Sequence, residues 1–166
     1  MDDLPALSLY SVNHSVLPKG FCPVLSSQLH HFSDASEVAY ESVSYLHLVN
    51  GEGRVHYSFL FAKSHLAPLK SVSIPRLELS TATLSICQDR ILEREIEMPV
   101  SDPSVFWTNS MSILFYVKNK NRCFHTFVAN HIAVICSNPD QSYHVEGTMN
   151  PGDNTSTGLS ADALLN

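Results

Sequence analysis

The chain lacks any Cys-x-x-Cys pair, its four cysteines, Cys22, Cys87, Cys123 and Cys136, being widely spaced. That spacing excludes a zinc ribbon and a small disulfide scaffold, and it predicts free, buried thiols. Basic residues are scarce, 10 Lys and Arg against 16 Asp and Glu, for a formal net charge of −6. No global positive field is therefore available to hold nucleic acid in general. A nuclease whose acids are neutralised by divalent ions escapes that exclusion, because the metals then meet the phosphates.

Long apolar runs are missing as well. The N-terminus MDDLPALSLY is acidic and has neither the basic flank nor the apolar stretch of a signal peptide, and no later stretch reaches membrane-spanning length. The expectation is an intracellular chain, cytoplasmic or nuclear, with no membrane partner, in which the Asn-x-Ser sequons at Asn13 and Asn154 carry no consequence. There is no internal repeat and no low-complexity run.

What is present suits one globular domain: 166 residues, 44% hydrophobic and 16% charged. Pro5, Pro18, Gly20 and Pro23 punctuate residues 1–27 without a sustained period, which predicts a leader or linker. The domain is expected over 28–158, and 159–166 reads as the start of another element, cut off. A strand is predicted from Gln28 to Asp34 and a second from Glu41 to Val49, where Val43, Tyr45, His47 and Val49 share a face. Asn50-Gly51-Glu52-Gly53 has the chemistry of a hairpin turn. A third strand, Val55 to Ala62, alternates, with Val55, Tyr57, Phe59 and Phe61 on one face and His56, Ser58 and Leu60 on the other.

Pro75 fits a first helical position, and the spacing predicts a helix from Pro75 to Glu95 that packs a Leu77, Leu84 and Ile91 stripe on the sheet. Ser104 to Thr108 reads as a buried strand, after which Asn109-Ser110 caps a helix from Met111 to Asn119. Phe124, Phe127, Val128, Ile132 and Ile135 mark a further helix. Tyr143 to Val145 is a last short strand, and the Gly147 to Gly152 loop delivers Asp153 to a final short helix stopped by Gly158.

The candidate site starts from HHFSDASE, residues 30–37, where a strand runs into Asp34. An acid at the mouth of a strand is fixed by the sheet and can face a cleft, as a metal-binding carboxylate does. Glu78 in PRLELS, Asn109 in FWTNS and Asp153 in NPGD each stand at the edge of an element that can return toward Asp34. Glu78 alone is ambiguous, since an acid in the first turn of a helix is also favoured by the dipole.

Nine histidines invite a zinc site, yet neither His30 with His31 nor His125 with His131 has the spacing of a helical ligand pair. His144, near the last acid, reads as structural or exposed. Lys63, Lys70, Arg76, Lys118, Lys120 and Arg122 can meet phosphates or simply face solvent. Ser33, Ser36 and Ser110 have no identifiable His-acid relay beside them, which excludes serine hydrolysis on this reading.

The residues LHHFSDASEVAY, FAKSHLAPLKSVSIPRLEL, FWTNS, FVANHIAVI and NPGDNTSTG resemble the ribonuclease H region of BEL/Pao retrotransposon polyproteins, over about Leu17 to Leu164. The resemblance implies an α/β, ribonuclease H-like fold: a mixed five-stranded sheet, its first three strands antiparallel, flanked by helices. It also implies hydrolysis of the RNA strand of an RNA–DNA hybrid by two Mg2+ ions, with Mn2+ as a substitute. Two hard cations about 4 Å apart prefer oxygen ligands, one activating water and the other steadying the leaving oxygen. Asp34 would bridge the metals, Glu78 would hold one and Asp153 the other.

The third acid of that pattern is Asn109 here. An amide oxygen brings no charge, and its NH2 is a donor that a cation cannot use. Weakened metal binding and weak or absent catalysis are therefore expected. Glu41, where the family usually has a small residue, is expected to crowd the cleft, and Thr157 replaces an expected arginine. The alternative is a catalytically dead module that binds nucleic acid or a protein, either a degenerate retroelement fragment or a host-recruited gene. A peptidase label also attaches to part of this polyprotein segment, but aspartic peptidase chemistry needs paired Asp-Thr-Gly or Asp-Ser-Gly loops, and neither occurs.

Overall fold

The computed structural model describes residues 15–119, 123–137 and 142–153. Residues 1–14 of the leader, Lys120, Arg122, Asn154, the helix expected to stop at Gly158 and the tail 159–166 lie outside the described residues. In chain order the elements are β1 (Val24–Ala35), β2 (Ala39–Asn50), β3 (Val55–Leu66), α1 (Ile74–Glu95), β4 (Asp102–Thr108), α2 (Met111–Lys118), α3 (Thr126–Ile135) and β5 (Ser142–His144). A single 3-10 turn, Gly147–Met149, follows. The strands form one mixed sheet in the order β3-β2-β1-β4-β5, with the first three antiparallel and β4 parallel to both β1 and β5. That is the architecture the resemblance implies.

The turn between β2 and β3 forms as its residues dictate. Asn50 Oδ1 accepts from the backbone N–H groups of Glu52 and Arg54 at 3.0 and 2.9 Å, and Gly53 takes φ 76°. Strand bounds differ more. β1 begins at Val24, ahead of Gln28, because Ser26 and Ser27 pair with Val49 and Leu48, and polar residues of that kind hide a strand from a hydrophobic pattern. β3 continues to Leu66, since β2 starts at Ala39 and offers partners along its whole length. The expected alternation of β3 also stops at Phe59. A register shift puts Phe59 opposite Tyr45 but Phe61 opposite Ser44, so Phe61 does not continue the Val55, Tyr57, Phe59 row.

Three helices pack on one face of the sheet. One apolar cluster joins Leu79, Ala82 and Ile86 of α1 to Phe106, Ile113, Ile132 and Ile135. A second, at the far end, joins Phe21, Leu29, Leu46 and Leu48, with Val16 and Leu17 packed on it. Leu29, Leu46 and Leu48 are fully buried, each worth roughly 1.5–3 kcal/mol on transfer from water.

Between the clusters the interface is polar, and the stripe expected on α1 is not the buried one. Leu84 is only half-buried and Ile91 is exposed, whereas Thr81, Ser85, Gln88 and Asp89 are buried. The sheet explains this, because the residues facing α1 are His31, Ser42 and Ser44, which need hydrogen-bond partners rather than methyl groups. Ser42 meets Ser85 at 2.8 Å, Ser44 donates to Gln88 at 3.3 Å, and His31 meets Asp89 at 3.0 Å.

The opposite face carries His30, Phe32, Tyr45, His47, Tyr57, Phe59, Trp107 and Tyr143 as linked rings. Of these, Tyr57, Phe59 and Tyr143 are exposed. β3 and β5 are the two outer strands of the sheet among the described residues. Cys22, Cys87 and Cys123 are exposed and Cys136 is half-buried. The expected burial fails because these positions fall on loops and on the outer side of α1. Among the described residues no helix is long and apolar enough to cross a membrane.

Candidate active site

Parallel pairing of β1 with β4 brings their C-terminal ends together, Ser33 lying opposite Thr108. Asp34 and Asn109 follow at that end, and Asn109 Nδ2 donates to Asp34 Oδ1 at 2.7 Å. Asp34 is 4% exposed. Ser110, the next residue, caps α2 as expected, its Oγ accepting from the Ile113 N–H at 3.3 Å. The same hydroxyl donates to Glu78 Oε2 at 2.7 Å. Two consecutive residues of the β4–α2 junction thus hold the two acids.

Glu78 does not lie in the first turn of α1. The helix begins at Ile74, and its first turn contains no acid. A dipole effect fades beyond the first turn, so the dipole does not account for Glu78, and its contact with Ser110 does.

Asp153 is brought to the same end by a side chain that sequence reasoning passed over. Asn150 is 3% exposed, donates through Nδ2 to the carbonyl of Ser33 at 3.0 Å and accepts at Oδ1 from the Gly152 N–H at 3.1 Å. Its carbonyl also accepts from the Asp153 N–H at 3.0 Å. The loop closes so tightly that a Cβ on Gly152 would stand 3.2 Å from Asp34 Cβ, 3.3 Å from Asn150 Oδ1 and 3.3 Å from Glu41 Oε1. A side chain there would oblige Asp34, Asn150 or Glu41 to give by a few tenths of an ångström. The sequence signal was available in Asn-Pro-Gly, a turn whose first residue can bond to backbone two positions on.

All four expected residues therefore stand at one end of the sheet. Asp34 touches Asn109, Glu78 is held by Asn109's neighbour, and Asp153 follows the glycine that abuts Asp34. The donors are carboxylate and amide oxygens, the chemistry that hard divalent cations prefer, and the close approach at Gly152 is compatible with ligands converging there. The array is not drawn closed, however: among the described residues no three His, Cys, Asp or Glu side chains form a metal-holding group. Hydrogen bonds from Asn109 and Ser110 occupy the carboxylates of Asp34 and Glu78 instead.

The serines expected to lack a relay are engaged elsewhere, Ser33 with the Trp107 carbonyl, Ser36 with that of Ala39 and Ser110 with Glu78. A Ser-His-Asp chain does exist where none was expected. Ser44 Oγ lies 2.8 Å from His31 Nδ1, and His31 Nε2 lies 3.0 Å from Asp89 Oδ1. All three are essentially inaccessible, at 0%, 0% and 1% exposure, so no substrate reaches the hydroxyl and the chain is structural. His131 bonds the Phe127 carbonyl along its own helix.

His30 faces the other side of the sheet. It accepts from Trp107 Nε1 at Nδ1, at 3.1 Å, and its Nε2 lies 3.0 Å from Gln28 Oε1, the pattern of a neutral ring. Burial, then the nearby His47 and His31, lower its pKa from 6.5 to about 4. The folded state thus holds fewer protons there than the unfolded chain. The contribution to stability is complete above pH 6.5 and is lost as pH falls toward 4. Trp107 is the only tryptophan, so its fluorescence should titrate with a midpoint near 4, the step disappearing in His30→Gln. A midpoint at the ordinary histidine value would contradict the assignment.

A family model described as Pao retrotransposon-like RNaseH-like domain matches residues 12–110, more than half of the chain. The chain belongs to that family. Asp34, Glu78 and Asn109 lie inside the matched stretch of this RNaseH-like domain, and Asp153 lies beyond it. No curated protein matches the sequence. Among solved structures, the domain is similar to the N-terminal RNase H domain of Rv2228c from Mycobacterium tuberculosis. That match has TM-score 0.50 and 9% identity and covers 84% of this chain and 94% of the other. It is also similar to RNase H1 from Halobacterium salinarum, with TM-score 0.47, 10% identity and coverage of 84% and 97%. A third similar structure is LC11-RNase H1 in complex with an RNA/DNA hybrid, with TM-score 0.49, 11% identity and coverage of 84% and 99%. At such identities the likeness concerns the fold.

Proposed function

We propose that this RNaseH-like domain is by descent a metal-dependent endonuclease for the RNA strand of RNA–DNA hybrids, with hydrolysis weakened at Asn109. The observation that carries this reading is the hydrogen bond from the Asn109 amide to Asp34 Oδ1. It places a neutral donor against the acid assigned the central role. Asp34, Glu78 and Asp153 would hold Mg2+ or Mn2+. When bound, such ions supply an activated water and stabilise the leaving oxygen. The chain's own residues set the geometry: Ser110 orients Glu78, Asn150 anchors the Asp153 loop to β1, and Asn109 pins Asp34. Exposed Lys63, Lys70 and Arg76 are available to phosphates, and Arg76 also lies over the Phe127 ring at 5.2 Å.

A non-catalytic module of the same fold, binding nucleic acid or a protein, is the second reading. It is favoured by the lack, among the described residues, of an assembled metal-holding group. A hybrid-cleavage assay in Mg2+ or Mn2+ separates the two when the wild type is run beside Asn109→Asp. The substitution should raise the rate by roughly 10 to 100-fold, the scale on which metal-site partners act. Equal rates would remove the claim of impairment, and two inert proteins would favour the binding module.

A further inference from the structure

We propose that Glu41 supplies this site with the negative charge that Asn109 withholds, so that ion affinity is retained on a relocated carboxylate. The proposal rests on the nuclease reading above and adds a residue to its site. Glu41 is 2% exposed and stands directly opposite Asp34 in the antiparallel pairing of β1 with β2. Opposed residues project to the same face of a sheet with Cβ atoms about 4.5–5.5 Å apart, so the two carboxylates issue at one corner. Independently, Glu41 Oε1 and Asp34 Cβ lie within 3.3 and 3.2 Å of the point a Cβ on Gly152 would occupy. Glu41 therefore reaches the loop that carries Asp153.

Its backbone is fixed from a second direction, since the Glu41 carbonyl accepts from Thr81 Oγ1 of α1 at 2.6 Å. A hard divalent cation prefers oxygen ligands, which the carboxylates of Glu41 and Asp34 both supply. With Asp34, Glu78 and Asp153, Glu41 brings four carboxylates to this end of the sheet, one of them on β2 instead of β4. Total charge governs how tightly a hard cation is held, whereas placement governs hydrolysis. Glu41 thus sustains binding without restoring the cleavage that Asn109 limits.

Mn2+ titration of the intact chain, followed by the paramagnetic resonance signal of free Mn2+, tests this, with circular dichroism reporting folding. Glu41→Gln, which keeps the shape and removes the charge, should weaken Mn2+ binding by at least about 10-fold. Glu41→Gly should weaken it similarly, and adding Asn109→Asp to Glu41→Gly should recover the loss. Wild-type affinity in Glu41→Gln together with lost affinity in Asp34→Asn overturns the role of Glu41 and leaves the nuclease reading standing. Unchanged affinity in Asp34→Asn overturns that reading. Should Glu41→Gln fail to fold, the glycine pair decides, and no recovery overturns the proposal. Absence of Mn2+ binding by the wild type also overturns it, while cleavage by Asn109→Asp still decides the reading beneath.

Discussion

Asp89→Ala should destabilise the fold by about 2–6 kcal/mol, since it strips two hydrogen-bonded groups of a shared acceptor at about 1–3 kcal/mol each. Asp89 Oδ1 meets His31 Nε2 at 3.0 Å and accepts from the Ser104 hydroxyl, with His31 and Asp89 at 0% and 1% exposure. Alanine would leave a buried ring nitrogen and a half-buried hydroxyl without this acceptor. Urea unfolding measures the loss, and a cost under about 1 kcal/mol would mean that the pair is not anchored as described. Breaking the exposed Arg94–Glu95 pair with Glu95→Ala gives the contrast, with an expected change of about 0–1 kcal/mol.

The second large effect is expected at Asn150. In a chain already carrying Asn109→Asp, Asn150→Ala should reduce metal-dependent cleavage of hybrid by about 100-fold, the consequence of moving a reacting group by roughly 1 Å. The cause lies in its two side-chain bonds, to the Ser33 carbonyl and from the Gly152 N–H, which tie the loop to the residue preceding Asp34. Stability should fall less steeply than activity, by about 1–3 kcal/mol for the buried groups left unsatisfied. Cleavage within a few fold of the parent would show that the loop finds its place by other contacts.

Most of the fold could be read from the residues because hydrophobic periodicity and turn chemistry agree locally. The Asn50 turn, Pro75 near the start of α1 and the Ser110 cap all behave as their side chains require. The four expected site residues come to one end of the sheet for a similar reason, Asp34, Asn109 and Asp153 being placed near the ends of elements or in a loop and Glu78 just past the first turn of α1. What could not be read is what depends on pairing across the chain. Leu84 and Ile91 look like a buried stripe until the strands beneath prove to carry His31, Ser42 and Ser44. Glu41 looks like an obstruction until register sets it opposite Asp34. Asn150 looks like an ordinary turn residue until its amide is seen on the Ser33 carbonyl, far away in sequence.

The outer strand β3 leaves Val55, Tyr57 and Phe59 exposed along 12 residues of extended chain. Among the described residues no strand pairs with its outer side, and an exposed edge of that length is a template on which an identical molecule can stack, its amides and carbonyls repeating at the spacing of a growing fibril. Self-association at high concentration is therefore expected at this margin, where the exposed aromatic row of one copy would meet that of the next.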